Sequence, residues 1–96
     1  MSPDKVRRSK LNTLTDLPNV GKAVAEDLAL LGITQPQDLV GQDAYEMYDR
    51  LCSLTATRHD PCMIDIFLSL VDFMQGNEPK PWWHFMEQRK AFLADK

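Results

Sequence analysis

The sequence predicts an all-α fold. Three observations carry that expectation. No stretch sustains the apolar and polar alternation of a half-buried strand. Gly32, Gly41 and Gly76 stand where helices would stop, and Pro36, Pro61 and Pro81 stand where helices would begin. Helices are expected near residues 11–16, 21–31, 36–40, 43–54, 61–75 and 81–94.

Each element has its own local reason. The segment 21–31 ends in Leu31-Gly32-Ile33, a glycine able to adopt the left-handed conformation followed by an apolar residue that can fold back onto the helix. Pro36 and Gly41 bracket 36–40 in the same way, and 43–54 opens at Asp43. Asp60-Pro61 reads as an N-cap with proline at the first helical position, and Gly76 closes that helix. From 62 to 74 its only polar residues are Asp65, Ser69 and Asp72, one narrow stripe among ten apolar side chains, so it must be enclosed on several sides. It is either the central helix of the domain or shared with a second copy in a homodimer through the 61–75 region. In 81–94, Trp82, Phe85, Met86 and Leu93 follow helical spacing and are expected to pack. That leaves Trp83 as the interaction candidate, and Arg89 and Lys90 complement the helix dipole.

Ninety-six residues suit one small domain, and 44% hydrophobic with 26% charged residues is the balance of a folding, globular chain. No apolar run approaches the roughly 20 residues that span a bilayer, and MSPDKVRRSK has no apolar signal stretch, which points to the cytoplasm. Cys52 and Cys62 are too few for a disulfide scaffold and read as free thiols. The net charge of −3 is unevenly spread: residues 1–22 carry +3, residues 23–78 carry −8 and residues 79–96 carry +2. The division expected is a basic N-terminal arm over 1–10, with Lys5, Arg7, Arg8 and Lys10, and one helical domain over 11–96.

The most specific segment runs from Leu14 through Leu17-Pro18-Asn19-Val20-Gly21-Lys22 to Leu28, followed by Leu31-Gly32-Ile33. It resembles the helix-hairpin-helix motif, with Pro18-Asn19-Val20-Gly21 as the hairpin. Gly21 permits close backbone approach or positive φ, Val20 turns apolar surface inward, and Ala25 lets two helices cross closely. Asn19 stands where that family usually has its first glycine, and asparagine tolerates the left-handed conformation better than other non-glycine residues. The resemblance implies that amides of Asn19, Gly21, Ala23 and Val24 face phosphate oxygens, with Lys22 adding charge, so that nucleic acid is held without its sequence being read. It also implies, in some members, a monovalent cation on hairpin carbonyls, here Thr15, Leu17 and Val20. Residues Gly32–Gly41 and the helix from Asp43 to Leu54 look like a degenerate second copy, expected to be structural and to bury Leu39, Tyr48, Leu51 and Leu54. The implied architecture is a compact tandem helix-hairpin-helix, SAM-like bundle of about five to six helices. The pair occupies 11–54, and two C-terminal helices over 55–96 complete the core.

Tyr48-Asp49-Arg50-Leu51-Cys52, Arg58-His59-Asp60-Pro61-Cys62, Val71-Asp72-Phe73-Met74 and Pro81-Trp82-Trp83 resemble a bacterial pathogenicity-locus family, some of whose members carry mitomycin-resistance-type labels. That likeness covers about residues 11–94 and implies no reaction or cofactor. The layout is also similar, more distantly, to the C-terminal domain of TfoX-type competence regulators. Cys52, His59, Cys62 and His84 are zinc-ligand types without the short Cys-x2-Cys spacing of a structural site, so no metal is expected. His59 and Cys62 read as local structure rather than a nucleophile pair, because Asp60 opposes thiolate formation. The expectation is a non-catalytic module that binds nucleic-acid backbone through Asn19, Gly21, Lys22, Ala23 and Val24, helped by Lys5, Arg7, Arg8 and Lys10. The alternatives are a protein-interaction or self-association module and, third, a metal- or thiol-dependent enzyme.

Overall fold

The computed structural model describes residues 13–94. The expected arm with Lys5, Arg7, Arg8 and Lys10 lies outside the described residues, as does the start of the segment 11–16. Among the described residues the chain is all-helical, with α1 at Lys22–Leu30, α2 at Ala44–Thr55, α3 at Cys62–Met74 and α4 at Met86–Ala94. Three short 3-10 turns, Leu14–Asp16, Pro36–Leu39 and Trp82–Phe85, punctuate them, and no strand is present. The described α-helices are four, fewer than the five to six expected. The segments read as helices at 11–16 and 36–40 are single 3-10 turns, too short for α hydrogen bonding to propagate. The expected helix 81–94 is likewise divided, with Pro81 extended ahead of a 3-10 turn that leads into α4.

The helix ends follow their chemistry. α1 closes in a Schellman motif: Gly32 takes φ +83°, its N–H donates to the Ala29 carbonyl, and the Ile33 N–H donates to the Leu28 carbonyl. Ile33 and Leu28, the apolar pair of that motif, are both buried. α2 closes with the same bonding, from Ala56 to Ser53 and from Thr57 to Cys52, although Ala56 must take φ +53° without being glycine. At α3 the Asp60 carboxylate accepts the Cys62 N–H at 2.8 Å, and Pro61 already has helical dihedrals.

α3 lies at the centre, packed by α2, by α4 and by the turns Pro36–Leu39 and Trp82–Phe85. Ile64, Phe67, Leu70 and Phe73 are buried, while Met63, Ile66, Leu68 and Met74 pack partly buried against the same core. The chain's own elements therefore pack around much of this helix. Its polar stripe is not a solvent stripe: Asp65 is 0% and Ser69 2% exposed. Each polar residue instead fastens another segment. Asp65 receives Arg89 of α4 through two hydrogen bonds of 3.1 Å. Ser69 receives the side-chain amide of Asn19 at 3.1 Å, and Asp72 receives the Lys80 ammonium at 3.0 Å.

Some expected packing is corrected. Leu39, Tyr48 and Leu51 are buried as expected, but Leu54 is 58% exposed, because α2 ends one residue later and the chain turns away at Ala56. Leu93 is exposed as well: no residue of α4 is buried, and the helix is held by Arg89 and by a Tyr45–Phe92 ring stack at 3.7 Å. Arg89, read from the sequence as a partner of the helix dipole, serves an ion pair. Trp82 is partly buried and Trp83 exposed.

Candidate functional site

The approach to α1 is built from a short anchored turn. Asp16 accepts the Thr13 N–H at 2.9 Å, and the Leu17 N–H closes the 3-10 turn on the Leu14 carbonyl. Leu17 and Val20 are both buried, so the chain between them is pinned to the core at each end. The reversal this demands is taken by Asn19, at φ +66°. Gly21 is extended, at φ −98° and ψ −171°, so its role is not a positive φ. The space beside it is open, since a Cβ placed there would meet nothing within 4 Å.

The same device recurs 22 residues further on. Asp16, Leu17, Asn19 and Gly21 correspond in order to Asp38, Leu39, Gly41 and Asp43. Asp38 accepts the Thr34 and Gln35 N–H groups as Asp16 accepts that of Thr13. Leu39 is as fully buried as Leu17, and Gly41, at φ +82°, takes the left-handed position of Asn19. The N–H group of Thr34 foremost holds the Asp38 carboxyl below the ordinary carboxylate range, against an opposing desolvation.

The two units differ at the helix start. Asp43 accepts the N–H groups of Tyr45 and Glu46, at 2.8 and 3.3 Å, and so satisfies the first turn of α2. Gly21 has no side chain to do this, and the first turn of α1 carries no side-chain cap. Gly21, Lys22 and Ala23 are exposed and Val24 half-buried, so these sequence-predicted residues form one surface at a helix N-terminus, where the dipole favours negative charge. Glu26 is exposed one turn on, and Asp27 is half-buried. Asn19 takes the left-handed conformation expected of it, and its side chain turns inward, where Nδ2 donates to Ser69 Oγ at 3.1 Å and to the Lys80 carbonyl at 2.8 Å.

The sulfur-bearing residues are brought into local contacts. The Cys52 sulfur meets the backbone N–H of His59, while the His59 ring meets the Thr55 hydroxyl at 2.9 Å through Nε2. The Tyr48 hydroxyl donates to the His59 carbonyl, and burial foremost pushes that phenol up. The neighbouring Asp60 carboxylate pushes the Cys62 thiol up as well, with burial adding to it, which disfavours the nucleophilic form. Among the described residues no group of three His, Cys, Asp or Glu side chains is arranged to hold a metal ion. No helix among them is long and apolar enough to cross a membrane.

Sequence reading missed what holds the hairpin, namely Ser69 and Lys80, and it missed the Arg89–Asp65 pair. A carboxylate isolated in an apolar helix is the signal that a cation must reach it. The 22-residue correspondence was hidden because Asn19 faces Gly41 and Gly21 faces Asp43, so the residue types differ while the backbone roles agree.

Comparison with known proteins gives two matches. The profile of a family described as "Pathogenicity locus" matches residues 7–91. The chain is 41% identical over 81 residues to the mitomycin resistance protein McrB of Streptomyces lavendulae, covering 84% of this chain and 77% of that protein. No solved structure gives a significant match.

Proposed function

The chain belongs to the Pathogenicity locus family, and we propose that it is a non-catalytic tandem helix-hairpin-helix module that holds nucleic-acid backbone without reading its sequence. The observation carrying this reading is the uncapped start of α1, where Gly21, Lys22 and Ala23 are exposed and open space surrounds the glycine. Unsatisfied amides at a helix N-terminus suit a phosphate oxygen, and Lys22 adds a counter-charge. The 22-residue recurrence supports the tandem reading, with the second unit structural because Asp43 occupies the position a phosphate would take. Contacts of this kind reach backbone atoms alone, so they favour no base.

Fluorescence titration of labelled single- and double-stranded DNA at low salt tests the reading. Binding is expected to be weak and to fall steeply with salt, because each phosphate contact releases counterions. Lys22→Glu is expected to reduce it strongly while leaving the melting temperature unchanged or slightly raised, since glutamate suits a first helical turn. Equal affinity of variant and parent would remove the hairpin from the account.

A second reading, a protein-interaction or self-association module, rests on Leu30, Leu54 and Trp83, exposed by 55%, 58% and 59%. Isolated exposed apolar residues are ordinary on monomers, which ranks it second. Sedimentation across a concentration series tests it, and a strictly monomeric species would retire self-association.

A further inference from the structure

The left-handed position of the second unit is filled by Gly41, the residue for which that conformation is least costly. The first unit uses Asn19 at the equivalent place. Its side-chain amide donates to two acceptors in other parts of the chain, Ser69 Oγ of α3 and the main-chain carbonyl of Lys80. Ser69 is itself fixed, 2% exposed and donating to the Ile66 carbonyl at 2.6 Å. Lys80 is fixed through its ammonium on Asp72 at 3.0 Å. Two residues beyond Asn19 the chain reaches Gly21 and the first turn of α1, a stretch with no side-chain cap of its own.

We infer that Asn19 is the positioning residue of the α1 anion site. It clamps the reversal to α3 and to the segment before Pro81, so that the amides of Gly21 to Val24 are held in one arrangement before any phosphate arrives. The inference rests on the nucleic-acid reading above. The clamp acts through Ser69 and Lys80 and touches no ligand itself. A site ordered in advance does not lose backbone freedom on binding, and that saving appears as affinity.

Asn19→Gly tests this in the full-length chain, because glycine keeps the left-handed backbone and removes both donated hydrogen bonds, making the first unit resemble the second. The first readout needs no ligand: 15N order parameters of Gly21 to Val24 are expected to fall from about 0.85 to below about 0.6, with α2 and α3 unchanged. The second is affinity for a fluorescein-labelled DNA duplex of mixed sequence at low salt, expected to weaken about tenfold. Asn19→Asp keeps size and turn preference but sets a carboxylate against the Lys80 carbonyl, so it is expected to weaken affinity at least as much. Adding Ser69→Ala to Asn19→Gly is expected to change affinity little further, since the Asn19–Ser69 bond is already lost in the single variant. Unchanged order parameters in Asn19→Gly would overturn the inference, and so would loosening spread evenly over the whole fold. Local loosening in a protein whose parent binds no duplex would support the clamp while removing the function proposed for the site.

Discussion

The hairpin side of the molecule and the α3–α4 side handle polar groups in opposite ways. Around α3 every polar side chain is matched: Asp65 with Arg89, Ser69 with Asn19, Asp72 with Lys80. At the start of α1 no side chain caps the backbone donors. Breaking a matched buried pair is costly because one partner is left desolvated and alone, whereas an exposed donor without a side-chain cap contributes little to the fold. The contrast is sharpest between the two related helix starts, where Asp43 closes α2 and Gly21 leaves α1 open.

The closed side can be broken most severely at Arg89. Its side chain is 11% exposed and Asp65 is fully buried, so Arg89→Ala leaves a carboxylate without its partner. The expected loss is about 3–5 kcal/mol by chemical denaturation, a large fraction of what a domain of this size holds in total. A loss under about 1 kcal/mol would mean that water reaches Asp65 readily.

Exchanging the two helix starts gives a smaller effect and a more direct one. Asp43→Ala is expected to lower stability by about 1 kcal/mol through loss of the cap on Tyr45 and Glu46. Gly21→Asp is expected to raise it by about 0.5 kcal/mol, by capping α1 and placing a negative charge at its positive end. The same change should abolish DNA binding, since the new carboxylate takes the place of the phosphate. A variant that gained stability and still bound DNA at parental affinity would separate the amides from binding.

The mildest effect is acidic. The Asp38 carboxyl is lowered chiefly by the Thr34 N–H, and the Asp60 carboxyl chiefly by that of Cys62. A carboxyl whose folded value lies below its unfolded one contributes fully above the unfolded value and loses that contribution as the pH falls through the folded one. Melting temperature is therefore expected to drop on the acid side of the ordinary carboxylate range, and Asp38→Asn or Asp60→Asn should flatten that limb.

The sequence was most legible where one residue dictates one conformation. Gly32 and Ile33 announced the end of α1, Asp60-Pro61 the start of α3, and the apolar circumference of 62–74 its central place. The end of α2 was read to within one residue, but its left-handed cap was not, because Ala56 adopts a conformation its side chain disfavours, in a turn closed by bonds to the Ser53 and Cys52 carbonyls. The left-handed turn at Asn19 was legible, but its fastening was not. Asn19 announces a turn, whereas Ser69 and Lys80 become its partners only once α3 and the segment before Pro81 are folded against it. Arg89 and Asp65 are likewise 24 positions apart, beyond any local pattern.

The bond from Asn19 ends on a main-chain oxygen of Lys80. Replacing the lysine side chain would remove the ion pair with Asp72, which keeps its hydrogen bond from Asn77 Nδ2, but leave that oxygen in place. What the link between Gly76 and Pro81 must preserve is therefore its span. Lengthening or shortening it by a residue would pull the acceptor out of reach, so insertions there should disturb a remote bend that single substitutions along the same link leave alone.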